Sequence, residues 1–194
     1  MPRLSDTDKI AQASAVSDSD ILYVVTNPTV APISKSVTVT TVKEHGSGYA
    51  MISSYDNVVA LSGLATGTGN WHTMDISAMT NAADFGTALN ATANKANDKI
   101  TITKTGIWFV SFSATFYDAH SNAGIFVKPY LDTTAIPALQ ASCKLGAGQA
   151  SSLSAAGLVD VTTAGDDLTL KFSTAAASIT ITEVQLMCYR LGNT

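Results

Sequence analysis

The sequence predicts an all-β chain: an antiparallel β-sandwich of jelly-roll type preceded by a short N-terminal β segment. Three observations predict it. Apolar and polar residues alternate at period two through most of the second half, the pattern of strands with one buried face. Glycine or Asp/Asn clusters punctuate these runs at 118–122, 146–148 and 165–167. No apolar stripe at helical spacing accompanies them, which leaves a two-sheet architecture.

Residues 1–45 differ from the rest. Asp6, Asp8, Asp18 and Asp20 lie among small polar residues, followed by the apolar run Ile21-Leu-Tyr-Val-Val25. Pro28 and Pro32 exclude ladder pairing from the next stretch, and Ser34-Lys-Ser-Val-Thr-Val-Thr-Thr-Val42 alternates again. Two short strands joined by a loop are expected. Such a hairpin is too small to bury a core of its own, so it is expected to dock on the main domain, a sister chain or a larger assembly. His45-Gly-Ser-Gly48 has the composition of a flexible hinge, and the head domain is expected over 49–194.

In the head domain, strands are expected over 49–55, 57–61 and 71–76. Residues 77–98, rich in Ala, Asn, Thr and Asp, read as an irregular connection with a short strand near Phe85. Further strands are expected near 99–104, 107–117, 124–132, 152–161, 167–173 and 178–190. The run around Gly106 is the most telling. Trp108, Val110, Phe112, Ala114 and Phe116 make one large apolar row, while Ile107 and Phe109 begin a second on the opposite face. A strand with two apolar faces sits deep in a sandwich or is covered by another subunit. In the last strand Ile179 and Ile181 share a face with Val184, Leu186 and Cys188 only after a change of phase, which predicts a bulge near Glu183. Met187, Tyr189 and Leu191 take its other face. No repeat of 20–50 residues is present, which argues against a solenoid or propeller.

Charged residues make up 13% of the 194 and hydrophobic ones 46%, against roughly 25% charged in an average soluble protein. So little charge leans toward a subunit partly covered by copies of itself. A net charge of −4 gives no electrostatic case for nucleic acid. The opening residues lack the basic and apolar regions of a signal peptide, and no run suits a membrane span. The chain is therefore expected to stay in the cytosol where it is made or to leave it by lysis. Cys143 and Cys188, the two cysteines, are expected to be reduced.

The order Ile100-Thr-Ile-Thr-Lys-Thr-Gly-Ile-Trp-Phe-Val-Ser-Phe-Ser, then Ile125-Phe-Val-Lys-Pro-Tyr-Leu-Asp132, then Gly157-Leu-Val-Asp-Val-Thr-Thr-Ala-Gly-Asp-Asp-Leu-Thr-Leu-Lys-Phe172, closed by a long last strand, resembles the tumour-necrosis-factor-like jelly roll of complement-type heads. The resemblance covers roughly residues 50–192. Two departures are Pro129 inside its strand and Asp132-Thr-Thr in place of an Asn-Gly-like turn; both predict an edge or bulged strand. The N-terminal stretch Asp8-Lys-Ile-Ala-Gln-Ala-Ser-Ala-Val-Ser-Asp-Ser-Asp-Ile-Leu-Tyr-Val-Val, with its Lys/Thr strand, is similar to the leading segments of tailed-bacteriophage fibre and capsid-associated proteins. The first resemblance implies a homotrimer with three sheet faces around a threefold axis. The second implies a leading segment fixed to a particle. Burying about 1,000 Å² of apolar surface per subunit at ~25 cal/mol/Å² is worth on the order of 25 kcal/mol before association costs. The expected trimer-interface or core residues are Trp108, Phe112, Phe116, Leu186 and Tyr189.

Catalytic patterns are absent from the sequence. His45, His72 and His120 form no zinc-ligand spacing, and no nucleophile elbow or phosphate-binding loop occurs. Asp166 and Asp167 are adjacent and point to opposite faces of a strand, which suits a turn cap better than a proton-sharing dyad. The candidate ligand-binding loop comprises Trp71, Asp118, His120 and Asn122; the alternative for the last three is an ordinary solvated turn. Trp71, Tyr117, Tyr130 and Tyr189 are the aromatics available to stack on sugars, or else to pack in a core or interface. The reading is a non-enzymatic bacteriophage virion protein without cofactor or metal, a homotrimeric fibre or capsid decoration protein. Residues 1–45 would dock to capsid or tail proteins, and the head would face a host-surface glycan. A cellular trimeric recognition module of lectin type is the alternative.

Overall fold

A computed structural model describes residues 21–26, 33–38, 48–55, 58–67, 69–79, 81–86, 89–118 and 123–192; over 21–26 and 33–38 it describes the backbone alone. The chain divides into two units, Met1–Gly46 and Ser47–Thr194. In the first, β1 (Ile21–Thr26) pairs antiparallel with β2 (Ile33–Thr38), from Ile21 opposite Thr38 to Thr26 opposite Ile33.

The second unit is a sandwich of two antiparallel sheets. The first sheet runs β13 (Gln149–Val161), β9 (Gly106–Asp118), β15 (Ser178–Gly192), β3 (Tyr49–Ser54) and β6 (Ala83–Gly86), with β4 (Val59–Ser62) alongside the start of β15. The second runs β11 (Thr134–Ala135), β10 (Gly124–Leu131), β14 (Asp166–Thr174), β8 (Lys99–Ile102) and β7 (Ala91–Asn94). Here β12 (Ala141–Lys144) also pairs with β10, and β5 (His72–Thr73) with β14. The all-β sandwich expected from the alternation is the fold observed.

The core lies between the sheets. Trp108, Val110, Phe112, Ala114 and Phe116 enter it from β9, and Leu168, Leu170 and Phe172 from β14, all essentially without solvent contact. The Phe116 and Phe172 rings meet across the sandwich at 6.1 Å in a tilted pair. Trp108 donates its indole N–H to the Lys104 carbonyl at 3.1 Å, so its one polar atom is satisfied in the interior.

Gly106 opens β9 at φ +131°, and a Cβ there would collide with the Gly192 carbonyl oxygen. Beside it the buried Arg190 donates from Nε (3.3 Å) and Nη2 (3.1 Å) to the Thr105 carbonyl, tying the end of β15 to the turn before β9. The register of β15 against β9 shifts between Ile181 and Glu183, where the alternation changes phase. That bulge lets Ile179 and Ile181 face the core together with Val184, Leu186 and Cys188.

Several expectations need correction. The run 71–76 contributes only a two-residue strand; beyond it the Met74 N–H still donates to the Leu170 carbonyl at 2.8 Å, and the Met74 and Ile76 side chains fill the core. The stretch 77–98 contains β6 at Phe85, as expected, and also β7, hidden by its Ala/Thr/Asn composition. Pro129 does not make β10 an edge or bulged strand. β10 pairs with β14 without a register shift from Ile125 to Leu131. The Pro129 carbonyl accepts from the Ile136 N–H at 3.0 Å, on the side away from β14. A residue of an antiparallel strand points N and C=O the same way, so the donor-less nitrogen faces the gap between the end of β12 at Val127 and the start of β11 at Tyr130. The turn after β10 is a two-residue hairpin with Asp132 at φ +49°.

Replacing Trp108 by Ser leaves a large cavity and an additional polar group in the core; unfolding in urea is expected to show a loss of about 3–5 kcal/mol. An unchanged midpoint would mean that the core is not organised around this side chain.

Candidate functional site

Two outer sheet faces carry the candidate interaction chemistry. Pairing fixes which side chains share a face, because directly opposed residues point the same way. On the first sheet, Leu158, Phe109, Tyr189 and Tyr49 oppose one another in turn across β13, β9, β15 and β3. The next row reads Ala156, Ser111, Met187, Met51 and Phe85. The third is Ser154, Ser113, Gln185 and Ser53, and the fourth Ser152, Thr115 and Glu183. One end of this face is therefore aromatic and aliphatic, and the middle is a band of small hydroxyls.

Among the described residues, all the exposed large apolar side chains lie on this sheet or beside it: Tyr49, Phe85, Leu158, Tyr189 and Leu191 on its strands, with Tyr55 and Val58 in the link between β3 and β4. Leu158 is 63% exposed and Phe85 48%. The polar band is internally bonded. Thr115 donates to Glu183 at 3.1 Å and accepts from the Ser152 hydroxyl at 2.9 Å. A polar notch of about 280 Å³ opens where β3 leaves β15, lined by Ser53, Ser54, Tyr55, Ser113, Glu183 and Gln185 among others. The buried Ser54 hydroxyl beside it has no hydrogen-bond partner.

The second sheet's outer face is aromatic and basic. Lys128 and Lys171 are directly opposed in β10 and β14. The Lys128 ammonium sits 3.9 Å from the Trp71 ring centre and 5.5 Å from that of Tyr130, and the Lys171 ammonium 4.4 Å from Tyr130. Trp71 and Tyr130 are 6.2 Å apart and tilted by 58°. β5 delivers Trp71 here by pairing His72 with Phe172 and Thr73 with Lys171; the His72 ring packs 5.4 Å from Phe172. Burial pushes the Tyr130 phenol above its ordinary value.

One end of the sandwich is acidic. Asp132 and Asp167 exchange bonds, the Asp167 N–H donating to Asp132 Oδ1 and the Asp132 N–H to the Asp167 carbonyl, both at 2.8 Å. Asp167 also accepts from Lys99 Nζ and Thr101 Oγ1 at 2.7 Å. Burial pushes its carboxyl up, but those two bonds outweigh this and hold it below the ordinary carboxylate range. Asp166 is raised, by burial first and then by the carboxylates of Asp132 and Asp167. So Asp166 and Asp167 do part to different surroundings. Among the described residues, no group of three or more His, Cys, Asp or Glu could hold a metal ion. Burial raises the thiols of Cys143 and Cys188, the latter to about 12, away from nucleophilic use, and both cysteines are free.

Of the residues singled out in the sequence, Trp108, Phe112, Phe116 and Leu186 are in the core of the single chain, while Tyr189 stands on the outer face. His120, Asn122 and the Asp118 side chain lie outside the described residues. Trp71 takes its neighbours from β10. Sequence reasoning missed Leu158, Tyr49 and Phe85 as face residues and Lys128 and Lys171 as a pair; only the strand register assembles them.

No family profile and no curated protein matches this sequence. Solved structures do match in fold. Eiger TNF from S. frugiperda shares 13% identity over 75% of this chain and 93% of its own, with a TM-score of 0.51. Murine APRIL shares 15% over 75% and 100%, with a TM-score of 0.49. The PRD1 vertex protein P5 shares 11% over 97% and 91%, with a TM-score of 0.47. At such identity the likeness to Eiger is one of fold. The second unit is a tumour-necrosis-factor-like jelly roll.

The depressed Asp167 carboxyl stabilises the fold above its unfolded value near 3.8, and that contribution is lost as pH falls through the lower folded value. Asp167→Asn is expected to cost about 0.5–1 kcal/mol at pH 6, since the Lys99 pair is about one-third exposed. The gap in melting temperature from the parent should close on acidification below the ordinary carboxylate range; a gap independent of pH would show that the pairing does not act through charge.

Proposed function

We propose that this chain is a homotrimeric, non-enzymatic virion structural protein, a fibre head or capsid decoration subunit. In this reading the first sheet's outer face packs against copies of itself and residues 1–45 dock to the particle. The observation that carries it is the gathering of exposed apolar side chains on that one sheet. Leu158, Phe109, Tyr189 and Tyr49 form an unbroken row, and Glu183 and Asp160 are the charged residues on the strands' outward side. Five strands spaced ~4.8 Å apart, the longest of 13–15 residues, present on the order of 1,000 Å². That matches the roughly 800 Å² per partner that a stable interface covers. A face so poor in charge suits a second copy better than a strongly charged partner.

The jelly-roll fold supports three copies, its resemblance being to heads that pack sheet faces around a threefold axis. The similarity of the leading segment to phage fibre and capsid-associated proteins supports the particle, and the hairpin of β1 and β2 supplies a compact docking element. Attachment to a host surface is the role this assembly suits, with the second sheet's outer face turned away from the trimer axis.

Light scattering on the full chain at micromolar concentration is expected to give three times the chain mass. Leu158→Lys combined with Tyr189→Lys should weaken association at least ~100-fold while leaving the far-ultraviolet spectrum unchanged, because an aromatic anchor such as Tyr189 in a desolvated interface is worth about 2 kcal/mol or more and both lysines would bury unpaired charge. Removal of residues 1–45 should preserve the trimer and abolish joining to particles. A parent protein that sediments as a single folded chain would sink the proposal.

A further inference from the structure

The outer face of the second sheet carries a charge opposite to that of the chain as a whole. Register places Lys128 opposite Lys171, Lys144 opposite Gly124 and Lys99 opposite Thr169, all on the side away from the core. The carboxylate on the same strands' outward side is Asp167, already bonded to Lys99 and Thr101. The chain's net charge is −4, so this is a local reversal of sign.

Two ammonium groups directly opposed in an antiparallel ladder repel each other. Here each is drawn over an aromatic ring: Lys128 over Trp71 at 3.9 Å and Lys171 over Tyr130 at 4.4 Å. The rings attract the cations through their quadrupoles but accept no strong hydrogen bonds from them. An anionic group placed between the ammoniums removes the repulsion and accepts from both. Trp71, only partly covered, provides an apolar wall within reach of the same point, and the buried Tyr130 backs it at 6.2 Å. Charge alone would suit any anion; charge hinged to a stacking wall suits a sugar ring bearing an acidic substituent, because its C–H face covers the aromatic while its carboxylate meets the lysines.

We propose that Lys128, Lys171, Trp71 and Tyr130 form a binding site for an acidic glycan, its carboxylate bridging the two lysines and its pyranose face on Trp71. The proposal takes its biological setting from the attachment role above. Its residues lie on the other sheet, so loss of glycan binding and loss of the trimer are separable results.

The test uses the full chain, with galacturonate oligosaccharides as the acidic glycan, dextran as the neutral one and polyglutamate as an acidic polypeptide. Tryptophan fluorescence reports on Trp71, since Trp108 is fully buried, and calorimetry gives the affinity. Saturable binding of the galacturonate at physiological salt is expected, with none to dextran and at least tenfold weaker binding to polyglutamate. Lys128→Gln with Lys171→Gln, and Trp71→Ala separately, should each weaken it at least tenfold. Lys144→Gln, on the same face but away from the rings, should change it less than threefold, and Trp71→Phe should restore most of the loss. The trimer mass should be unchanged throughout. The proposal is overturned if galacturonate does not bind, if polyglutamate binds as well, or if Trp71→Ala binds like the parent.

Discussion

Strand β9 constrains everything around it. It is paired along its whole length by β13 on one side and, with two register shifts, by β15 on the other. Its backbone groups are thereby satisfied inside the sheet, and its side chains can differ only by face. Trp108, Phe112 and Phe116 commit one face to the core, so Phe109 and its neighbours fall on the other with no freedom of choice. A slip of one residue would exchange the two sets and empty the core, which makes the register the best-defended feature of the domain. Gly106 and the Arg190 bonds to the Thr105 carbonyl fix where that register begins. The bulge before Glu183 keeps both halves of β15 in phase with it.

This explains which parts of the structure could be read in the sequence. Long strands announce themselves, because many alternating positions report the same buried face. β9, β14 and β15 were legible in place and sense, as was the phase change in β15. Short strands lacked that redundancy. β7, β11 and β12 consist of two to four residues, and their ladders depend on partners distant in the chain. Pro129 misled for a related reason. A proline is excluded from a ladder only on the side where its nitrogen points, and the sequence does not reveal that β12 stops and β11 starts around it.

The candidate faces were legible in composition but not in assembly. Low charge hinted at a covered surface, and Tyr189 was marked for it. That Leu158, Phe109 and Tyr49 join Tyr189 in one row follows only from three separate registers. Trp71 stood out as an aromatic flanked by turn residues, yet nothing near it in sequence names Lys128 or Tyr130 as neighbours. They meet because β5 and β10 pair with β14.

The two outer faces differ in charge: Glu183 and Asp160 stand on the first, while Lys99, Lys128, Lys144 and Lys171 stand on the second. A face that packs against copies of itself must shed charge, since each desolvated ion would need a partner in the neighbouring subunit. In the proposed trimer the charge that keeps it dispersed sits on the other surfaces. The second sheet meets that demand with lysines rather than with the carboxylates that dominate the chain overall, and it draws two of them onto aromatic rings instead of extending them into water. Solubility alone does not call for this arrangement: acidic residues serve it at least as well, and a like-charged pair in register weakens the sheet. In the proposed trimer, with the first sheet's face covered by copies of itself, such a face suits a negatively charged partner.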